Sequence, residues 1–369
     1  MAETKNFKKS LELNHFRKER KEPEFEGTKE TTNNSTRKYE EKENIDKLLN
    51  ENKPKLSEYF EINDFISSGS IGIFYEGCLK KNNKQKVGIK FYLNQKRKRE
   101  ELINEEIVFL KRLKHKNIVS IYGCFKINDT NSCVILELAK YGDLANFQYK
   151  ILKRRYLSET ILCYFASQLL QSLCYIHKNK ILHGDIKENN ILIDADLNIK
   201  LADFSVSTSY SQYKPDEKII YPFVGTGKYI SPEIISRDKI LVKDTNKIDI
   251  YSFGIVLYFL AFGCYPYDLK TVRSNDYEGI LKNLKNSKLN FTSTRKISRM
   301  FEDFLRGILE VDINKRFDIE TAMKHPWIKG AAIIMDEKEN INCLQKFLVN
   351  LVSDNIMEFN EYIKNKENP

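Results

Sequence analysis

The pattern of apolar and polar positions divides the chain into three zones. Residues 1–55 are rich in Lys, Glu, Asn and Thr and lack sustained periodicity, so they bury too little apolar surface to offset their ordering entropy. Residues 56–329 alternate between short apolar runs typical of strands and longer runs with helical spacing. Residues 330–369 contain one more helix-like run. The pattern therefore predicts a disordered basic tail, one folded domain, and a helical extension that packs on the domain or on a partner.

Two apolar runs near the start of the domain carry polar residues at defined points. Val87-Gly88-Ile89-Lys90 is typical of a strand with one inward-facing lysine. A segment with helical spacing follows, in which Glu106 falls on the apolar side together with Leu110 and Leu113. Glu106 is therefore expected on the buried face of this helix, although a surface charge among neighbouring glutamates is the alternative.

Composition and charge narrow the class of protein. The chain has 369 residues, of which 41% are hydrophobic and 30% charged, as expected for a protein with a substantial core and a charged surface. The net charge of +10 comes from lysines interleaved with acidic and amide residues, and no nucleic-acid-binding signature accompanies them, so no nucleic-acid partner is expected. No apolar run reaches membrane-spanning length and the first residues are polar, so neither a membrane span nor a secretory signal is expected. The 7 cysteines form no C-x-x-C pair, which favours reduced thiols in the cytoplasm or nucleus.

The most informative chemistry lies in a loop between two apolar runs. The segment His183-Gly184-Asp185-Ile186-Lys187-Glu188-Asn189-Asn190 holds a carboxylate, an amine and an amide close together. Phosphoryl transfer needs a base, a phosphate-binding cation and a metal ligand to converge within a few ångströms. The segment matches the pattern H-R-D-x-K-x-x-N, except that Gly184 stands where arginine is usual.

Two earlier segments fit a nucleotide site. Gly69 and Gly72 match the second and third glycines of G-x-G-x-x-G-x-V, while Ser67 and Phe74 depart from that pattern. Glycines in such a hairpin let the backbone approach phosphate oxygens. Taken alone, this spacing is more typical of an ordinary hairpin turn. The strand that ends at Lys90 then matches V-A-I-K, with glycine in place of alanine.

Further motifs follow the loop in a fixed order. They are Asp203-Phe204-Ser205 (like D-F-G), Gly225-Thr226-Gly227-Lys228-Tyr229-Ile230-Ser231-Pro232-Glu233 (like G-T-x-x-Y-x-A-P-E), Asp249-Ile250-Tyr251-Ser252-Phe253-Gly254 (like D-x-W-S-x-G), Arg316, and His325-Pro326-Trp327-Ile328. Together these elements resemble a eukaryotic serine/threonine protein kinase, and the resemblance covers everything between the two tails. It implies an α+β, bilobal protein-kinase-like fold. The β-rich N-lobe would span about 56–137 and the mainly α-helical C-lobe about 140–329, with ATP and Mg²⁺ at the hinge and a protein as the phosphate acceptor.

The resemblance also implies roles for individual residues. Asp185 would accept or orient the proton of the substrate hydroxyl, and Lys187 would steady the γ-phosphate. A Lys90–Glu106 pair would aim the lysine at the α- and β-phosphates, and Thr226 with Lys187 is the serine/threonine pattern. The implied Mg²⁺ ligands are Asn190 and Asp203. The implied ATP contacts are Ile66, Gly69, Gly72, Phe74, Gly88, Lys90, Leu136, Glu137, Ala139, Asp143 and Leu192. Structural roles are implied for Asp249, which would tie down the loop, and for an Arg316–Glu233 pair.

Four departures from the family pattern leave an alternative open. Ser67, Phe74, Gly184 and Ser205 are compatible with a pseudokinase scaffold that binds nucleotide or partners with little or no turnover. The retained lysine, glutamate, aspartates and asparagine favour an active enzyme. Two departures carry hypotheses of their own: Phe74 and Gly88 would form a volume-compensated roof over adenine, and Gly184 would make activity depend only weakly on phosphorylation between Ser205 and Val224.

Substrate preference is weakly marked. Asp143 could attract a basic residue upstream of the target site, but Asn189 stands where many base-preferring kinases carry a glutamate.

Overall fold

The computed structural model describes most of the chain between Lys55 and Gly330. The described ranges are 55–68, 72–80, 85–93, 97–128, 130–151, 157–267, 276–286, 288–289, 291 and 295–330. The predicted tail and extension lie almost wholly outside them, as does Gly69. The chain divides into two compact units, Met1–Asn94 with Cys124–Ile135, and Gln95–Gly123 with Leu136–Pro369.

The first unit is built on a β-sheet. The sheet has five strands in the order β1-β2-β3-β5-β4. Their bounds are β1 Phe60–Ser68, β2 Ile73–Leu79, β3 Lys86–Tyr92, β4 Ile121–Lys126 and β5 Ser132–Glu137, and the short helix α1, Lys55–Tyr59, precedes them. Side chains of β2 alternate between buried and half-buried, as expected for a strand with one face on a core. That core holds Tyr75, Ile89 and Phe91, and the rings of Tyr75 and Phe91 meet edge to face at 5.9 Å.

The second unit is mainly helical. Its helices are α2 Arg97–Arg112, α3 Leu144–Asn146, α4 Glu159–Lys178, α5 Pro232–Ile235, α6 Asn246–Phe262, α7 Tyr277–Asn286, α8 Arg299–Ile308 and α9 Ile319–Lys324. Helix α6 is apolar on all sides and almost fully buried, which identifies it as the central helix of this unit. It ends where Gly263 adopts a left-handed conformation, and its neighbour α4 begins at the N-cap Ser158.

Short strand pairs hold the loops of the second unit. The antiparallel pairs are β6 (Ile181–Leu182) with β9 (Thr208–Ser209), β7 (Ile191–Ile193) with β8 (Ile199–Leu201), and β10 (Lys218–Ile219) with β11 (Ile240–Leu241). The β-rich first unit and the helical second unit confirm the predicted α+β, bilobal fold. The lobe boundaries proposed from the sequence stay a prediction. Within the described ranges, no helix is both long and apolar enough to cross a bilayer.

Candidate active site

One buried carboxylate, that of Asp249, anchors the loop between β6 and β7 to helix α6. Asp249, at the start of α6, accepts hydrogen bonds from the backbone N–H groups of His183 and Gly184, each at 2.9 Å. The ring Nε2 of His177 lies 2.8 Å from the same carboxylate. Because Asp249, His177 and His183 are buried and Gly184 is half-buried, these hydrogen bonds fix the loop backbone to helix α6. This contact is the one that the sequence led us to expect for Asp249.

The pKa of Asp249 reflects this surrounding. Burial alone would raise it, but the hydrogen bond from His177, the charges of His177 and His183, and the Gly184 N–H outweigh burial, so the pKa of Asp249 lies below its ordinary value. The carboxylate therefore stays ionised at neutral pH, and it stabilises the loop as an anion.

Three side chains meet on the upper side of the loop. Lys187 Nζ lies 2.7 Å from Asp185 Oδ2 and donates a hydrogen bond to Thr226 Oγ1, also at 2.7 Å. The Thr226 hydroxyl in turn donates to Asp185 Oδ1 at 2.7 Å. Thr226 is 41 residues away in sequence from Asp185. The resulting triangle sets a carboxylate beside a cation and a hydroxyl, all still partly accessible to solvent, and such a carboxylate can accept a proton from an incoming alcohol.

Asn190 completes the group from its own side of the loop. Its amide nitrogen donates to the backbone carbonyl of Asp185 at 2.8 Å and to Oδ2 of Asp185 at 3.1 Å. Its amide oxygen therefore faces away from these contacts, and no donor from the described residues occupies it. An amide oxygen without a donor is a suitable ligand for a hard cation such as Mg²⁺.

The β7–β8 hairpin brings the second predicted metal ligand next to the first. Ile191 pairs with Leu201, and the N–H of Ala202 donates to the carbonyl of Asn190 at 2.9 Å, one residue before Asp203. Asp203 has a φ of 63°, a conformation that is uncommon outside glycine and that clusters at functional sites. Among the described residues, no group of three or more His, Cys, Asp and Glu side chains could bind a metal by itself. A metal at this hairpin would rely on Asn190, Asp203 and oxygens of its substrate.

His183 contributes a link that motif matching alone did not identify. Its Nδ1 accepts from the N–H of Asp185 at 3.3 Å, and its Nε2 lies 3.1 Å from the carbonyl of Ala202. The ring also meets Phe204 edge to face at 5.0 Å. His183 thus joins the loop that carries Asp185 to the segment that carries Asp203. The only sequence signal for this role was its position in the loop motif.

Two glycines of the site adopt positive φ, and one of them also allows a close backbone approach. Gly184 has a φ of 79°, and Gly225 has a φ of 108°. A Cβ on Gly225 would stand 2.8 Å from the carbonyl oxygen of Gly184, which is closer than such atoms can approach. The segment ahead of Thr226 can therefore pass directly over the loop only because this position lacks a side chain.

The segment between Ser205 and Val224 is fastened by hydroxyl groups. The Ser207 hydroxyl donates to the carbonyl of His183, and the Tyr210 hydroxyl donates to the carbonyl of His177. The Tyr221 hydroxyl forms a hydrogen bond with the Thr245 hydroxyl. All three hydroxyl-bearing side chains are buried. The same segment also pairs through β9 and β10.

Lys90 and Phe74 lie on neighbouring strands of the first unit. In the β2–β3 register, Phe74 lies opposite Lys90, and the Lys90 Nζ is 5.2 Å from the ring centre of Tyr92. A Cβ on Gly88 would lie 2.5 Å from the tip of the Phe74 ring, so the ring fills the space that an alanine would need. This contact agrees with the volume-compensated pair inferred from the sequence. Of the other predicted residues here, Gly72 directly precedes β2, and Ile66 is an exposed residue of β1.

The remaining predicted ATP residues lie in the second unit. Leu136 and Ala139 are buried, and Leu192 is half-buried on β7. Glu137 forms an ion pair with Lys200 at 2.7 Å, and Asp143 caps α3 by accepting from the N–H of Asn146. Glu106 on α2 has a side chain that is only 1% exposed, as the helical register predicted.

A buried ion pair braces the second unit below the site. Both terminal nitrogens of Arg316 donate to Glu233, at 2.7 and 2.9 Å, and three backbone carbonyls accept the remaining hydrogen bonds of the guanidinium. The pair joins the segment after Thr226 to the end of the domain, in agreement with the expected Arg316–Glu233 contact.

Comparison with known proteins agrees with this geometry. The family model for the protein kinase domain matches residues 60–328. The chain is 31% identical to human NUAK family SNF1-like kinase 2 over 64% of its own length and 35% of the relative's. It is 29% identical to mouse testis-specific serine/threonine-protein kinase 1 (63% of this chain, 61% of the relative) and 28% identical to serine/threonine-protein kinase TIO of Arabidopsis thaliana (76% and 20%). The chain thus spans between a fifth and three fifths of the length of these relatives.

Proposed function

The chain belongs to the protein kinase family, and from this premise we propose that it transfers the γ-phosphate of ATP to serine or threonine hydroxyls of protein substrates. The observation that carries the proposal is the triangle of Asp185, Lys187 and Thr226, with its three contacts of 2.7 Å. A scaffold without turnover would have no need to keep a carboxylate, a cation and a hydroxyl in mutual contact above a loop fixed by Asp249.

Each member of the triangle has a proposed task. Asp185 accepts or orients the proton of the attacking hydroxyl, because its carboxylate lies 2.7 Å from the Lys187 amine and is partly accessible to solvent. Lys187 steadies the transferring phosphoryl group, where a cation offsets the developing negative charge. The Thr226 hydroxyl keeps the two at a fixed distance. In-line transfer then requires no covalent intermediate with the protein.

The site also suits a divalent cation. The amide oxygen of Asn190 and the carboxylate of Asp203 are hard oxygen ligands. The backbone hydrogen bond from Ala202 to Asn190 supports a shared role for the two residues. Mg²⁺ commonly takes one or two protein ligands and completes its shell with phosphate oxygens and water. When bound, it would neutralise charge on the phosphates. Asn190 and Asp203 are the residues that would hold it.

For nucleotide binding we propose the residues implied by the family. Lys90 would bind the phosphates with the support of Glu106, and Phe74 with Gly88 would cover the adenine. The filled contact between the Phe74 ring and Gly88 supports the second of these roles. The backbone from Glu137 to Ala139 and the side chain of Asp143 would contact the adenine and ribose.

We further propose that activity does not require phosphorylation between Ser205 and Val224. Gly184 provides no cation that an activating phosphate could neutralise. The hydroxyls of Ser207, Tyr210 and Tyr221 are already buried in hydrogen bonds that hold the segment.

The proposal is tested by transfer of labelled phosphate from Mg-ATP to peptides that differ only in a serine, threonine or tyrosine acceptor. The serine and threonine peptides are expected to be phosphorylated by wild type. Asp203→Ala is expected to abolish transfer, whereas Asp238→Asn, a change at an exposed aspartate, should leave it unchanged. Nucleotide binding by wild type without transfer to any acceptor, or to itself, would instead support the scaffold alternative.

A further inference from the structure

Lys228 occupies a rigid position directly beside the proposed active site. It is the middle residue of the 3₁₀ turn Gly227–Tyr229, which follows Thr226. The turn is held from two sides, since Ser252 Oγ donates to the carbonyl of Tyr229 at 2.7 Å and the Tyr229 hydroxyl donates to Glu188 Oε2 at 2.5 Å. The backbone that carries Lys228 is therefore fixed both to helix α6 and to the loop between β6 and β7.

Among the residues that the structure describes, Lys228 has no counter-charge of the kind that comparable lysines possess. Lys187, Lys200 and Lys247 are half-buried, and each has a carboxylate oxygen at 2.7 to 3.0 Å. Lys228 is half-buried as well, yet no carboxylate among the described residues lies within ion-pair distance of it. Partial burial of a cation without a partner is unfavourable. Burial is also the sole cause that lowers the pKa of Lys228.

An aromatic ring holds the lysine without neutralising it. The Nζ of Lys228 lies 4.9 Å from the ring centre of Tyr265, whose hydroxyl is 3.3 Å from that of Tyr229. A cation–π contact of this kind is weak, and the ring leaves the positive charge of the lysine available to an anion. The nearby carboxyl of Glu188 is buried and bonded to Tyr229, so it does not serve as the partner.

We propose that Lys228 is a specificity-determining residue that selects protein substrates with an acidic side chain close to the phosphorylated serine or threonine. This inference rests on the proposed function, because it places the substrate hydroxyl at Asp185. Lys228 is two residues from Thr226, and two residues span at most about 7 Å. Four extended substrate residues cover about 13 Å, so the acidic side chain should lie within about four positions of the acceptor.

The test uses peptides with one serine in a neutral background and a single Glu, Gln or Lys at each position from four before to four after it. For wild type, kcat/KM should favour Glu over Gln by about 5- to 30-fold at one or two positions. Lys228→Met should reduce this ratio to near one, Lys228→Glu should favour Lys at the same positions, and Lys228→Arg should retain the preference for Glu. Lys243→Met, at an exposed lysine, is the matched control and should behave as wild type.

The outcomes separate this inference from the proposed function. Phosphorylation of the peptides by wild type with equal kcat/KM for Glu and Gln at every position contradicts the inference alone. A Glu preference that persists unchanged in Lys228→Met contradicts it too. Failure of wild type to phosphorylate any peptide or itself contradicts the proposed function, and the inference with it. Melting temperatures of the variants equal to that of wild type would show that a loss of preference does not result from unfolding.

Discussion

The contact between Phe74 and Gly88 permits a quantitative test of the proposed roof over adenine. The perturbation is Gly88→Ala, which places a methyl group 2.5 Å from Cζ and 3.0 Å from Cε1 of Phe74. Carbon atoms in favourable contact are about 3.5–4.0 Å apart, so the ring must shift by about 1 Å. The strand backbones cannot separate to make this room, because the β2–β3 register pairs Gly88 with Glu76 and Phe74 with Lys90.

The expected cost follows from these distances. Overpacking of this kind destabilises a protein by about 1–3 kcal/mol. Because the half-buried Phe74 ring can turn and relieve part of the clash, we expect a cost of about 1–2 kcal/mol. Replacement of glycine by alanine in a strand returns about 0.5–1 kcal/mol of backbone entropy. Phe74→Val removes the ring that clashes with the new methyl group. In the double variant, Gly88→Ala should therefore contribute only its favourable backbone entropy. The coupling energy between the two positions is therefore predicted to be about 1–2 kcal/mol in favour of the double variant.

The assay is a double-mutant cycle of denaturant unfolding, with ATP affinity measured on the same four proteins. The free energies of unfolding should be non-additive by the stated amount. Phe74→Val should bind ATP no better than wild type, since it loses ring contact. Additivity within about 0.5 kcal/mol would refute the packing argument. A large gain in ATP affinity on Phe74→Val would show that the ring obstructs the site rather than covers it.

Three further predictions concern the Arg316–Glu233 pair, Asp249 and Gly184. Arg316→Met should lower the free energy of unfolding by about 3–5 kcal/mol, because Glu233 would be left buried without its partner, and the double variant with Glu233→Gln should recover part of this loss in denaturant unfolding. The pKa of Asp249 is lower in the folded protein than in the unfolded chain. Its contribution to the free energy of unfolding is therefore complete above the ordinary carboxyl pKa of about 3.9, and it is lost as pH falls through the lower folded value. Acid unfolding curves should therefore show the stability difference between wild type and Asp249→Asn shrinking only below about pH 4. Phosphatase treatment of the purified protein should leave most kinase activity intact, and loss of activity would contradict the proposed role of Gly184.

Sequence motifs predicted the fold and the residues of the candidate site, but they did not predict the long-range hydrogen bonds that hold the site together. The burial of Glu106 could be predicted from helical spacing. The loop from His183 to Asn190 and the pairing of Arg316 with Glu233 were implied by the resemblance of their motifs to the family. The hydrogen bonds of Tyr210 and Tyr221 were not, since their partners lie 33 and 24 residues away and no pattern marks them.

The sequence also could not predict which lysine would have no ion-pair partner among the described residues, and Lys228 is the example. In the sequence it is one lysine among many, and nothing distinguishes it from those on the surface. Its unusual feature is a half-buried position at which no carboxylate of the described ranges lies within ion-pair distance. That property depends on which side chains the fold brings near, and therefore only the three-dimensional arrangement shows it.

The central claim is that this domain transfers phosphate, and one paired measurement tests it most directly. ATP affinity and the rate of phosphate transfer to a serine peptide would be determined together on wild type and on Asp185→Asn, with Asp238→Asn as the control. The account predicts that all three proteins bind Mg-ATP alike, while Asp185→Asn transfers phosphate about 10²- to 10⁴-fold more slowly than the other two. Equal transfer rates for wild type and Asp185→Asn, with ATP bound to both, would contradict it.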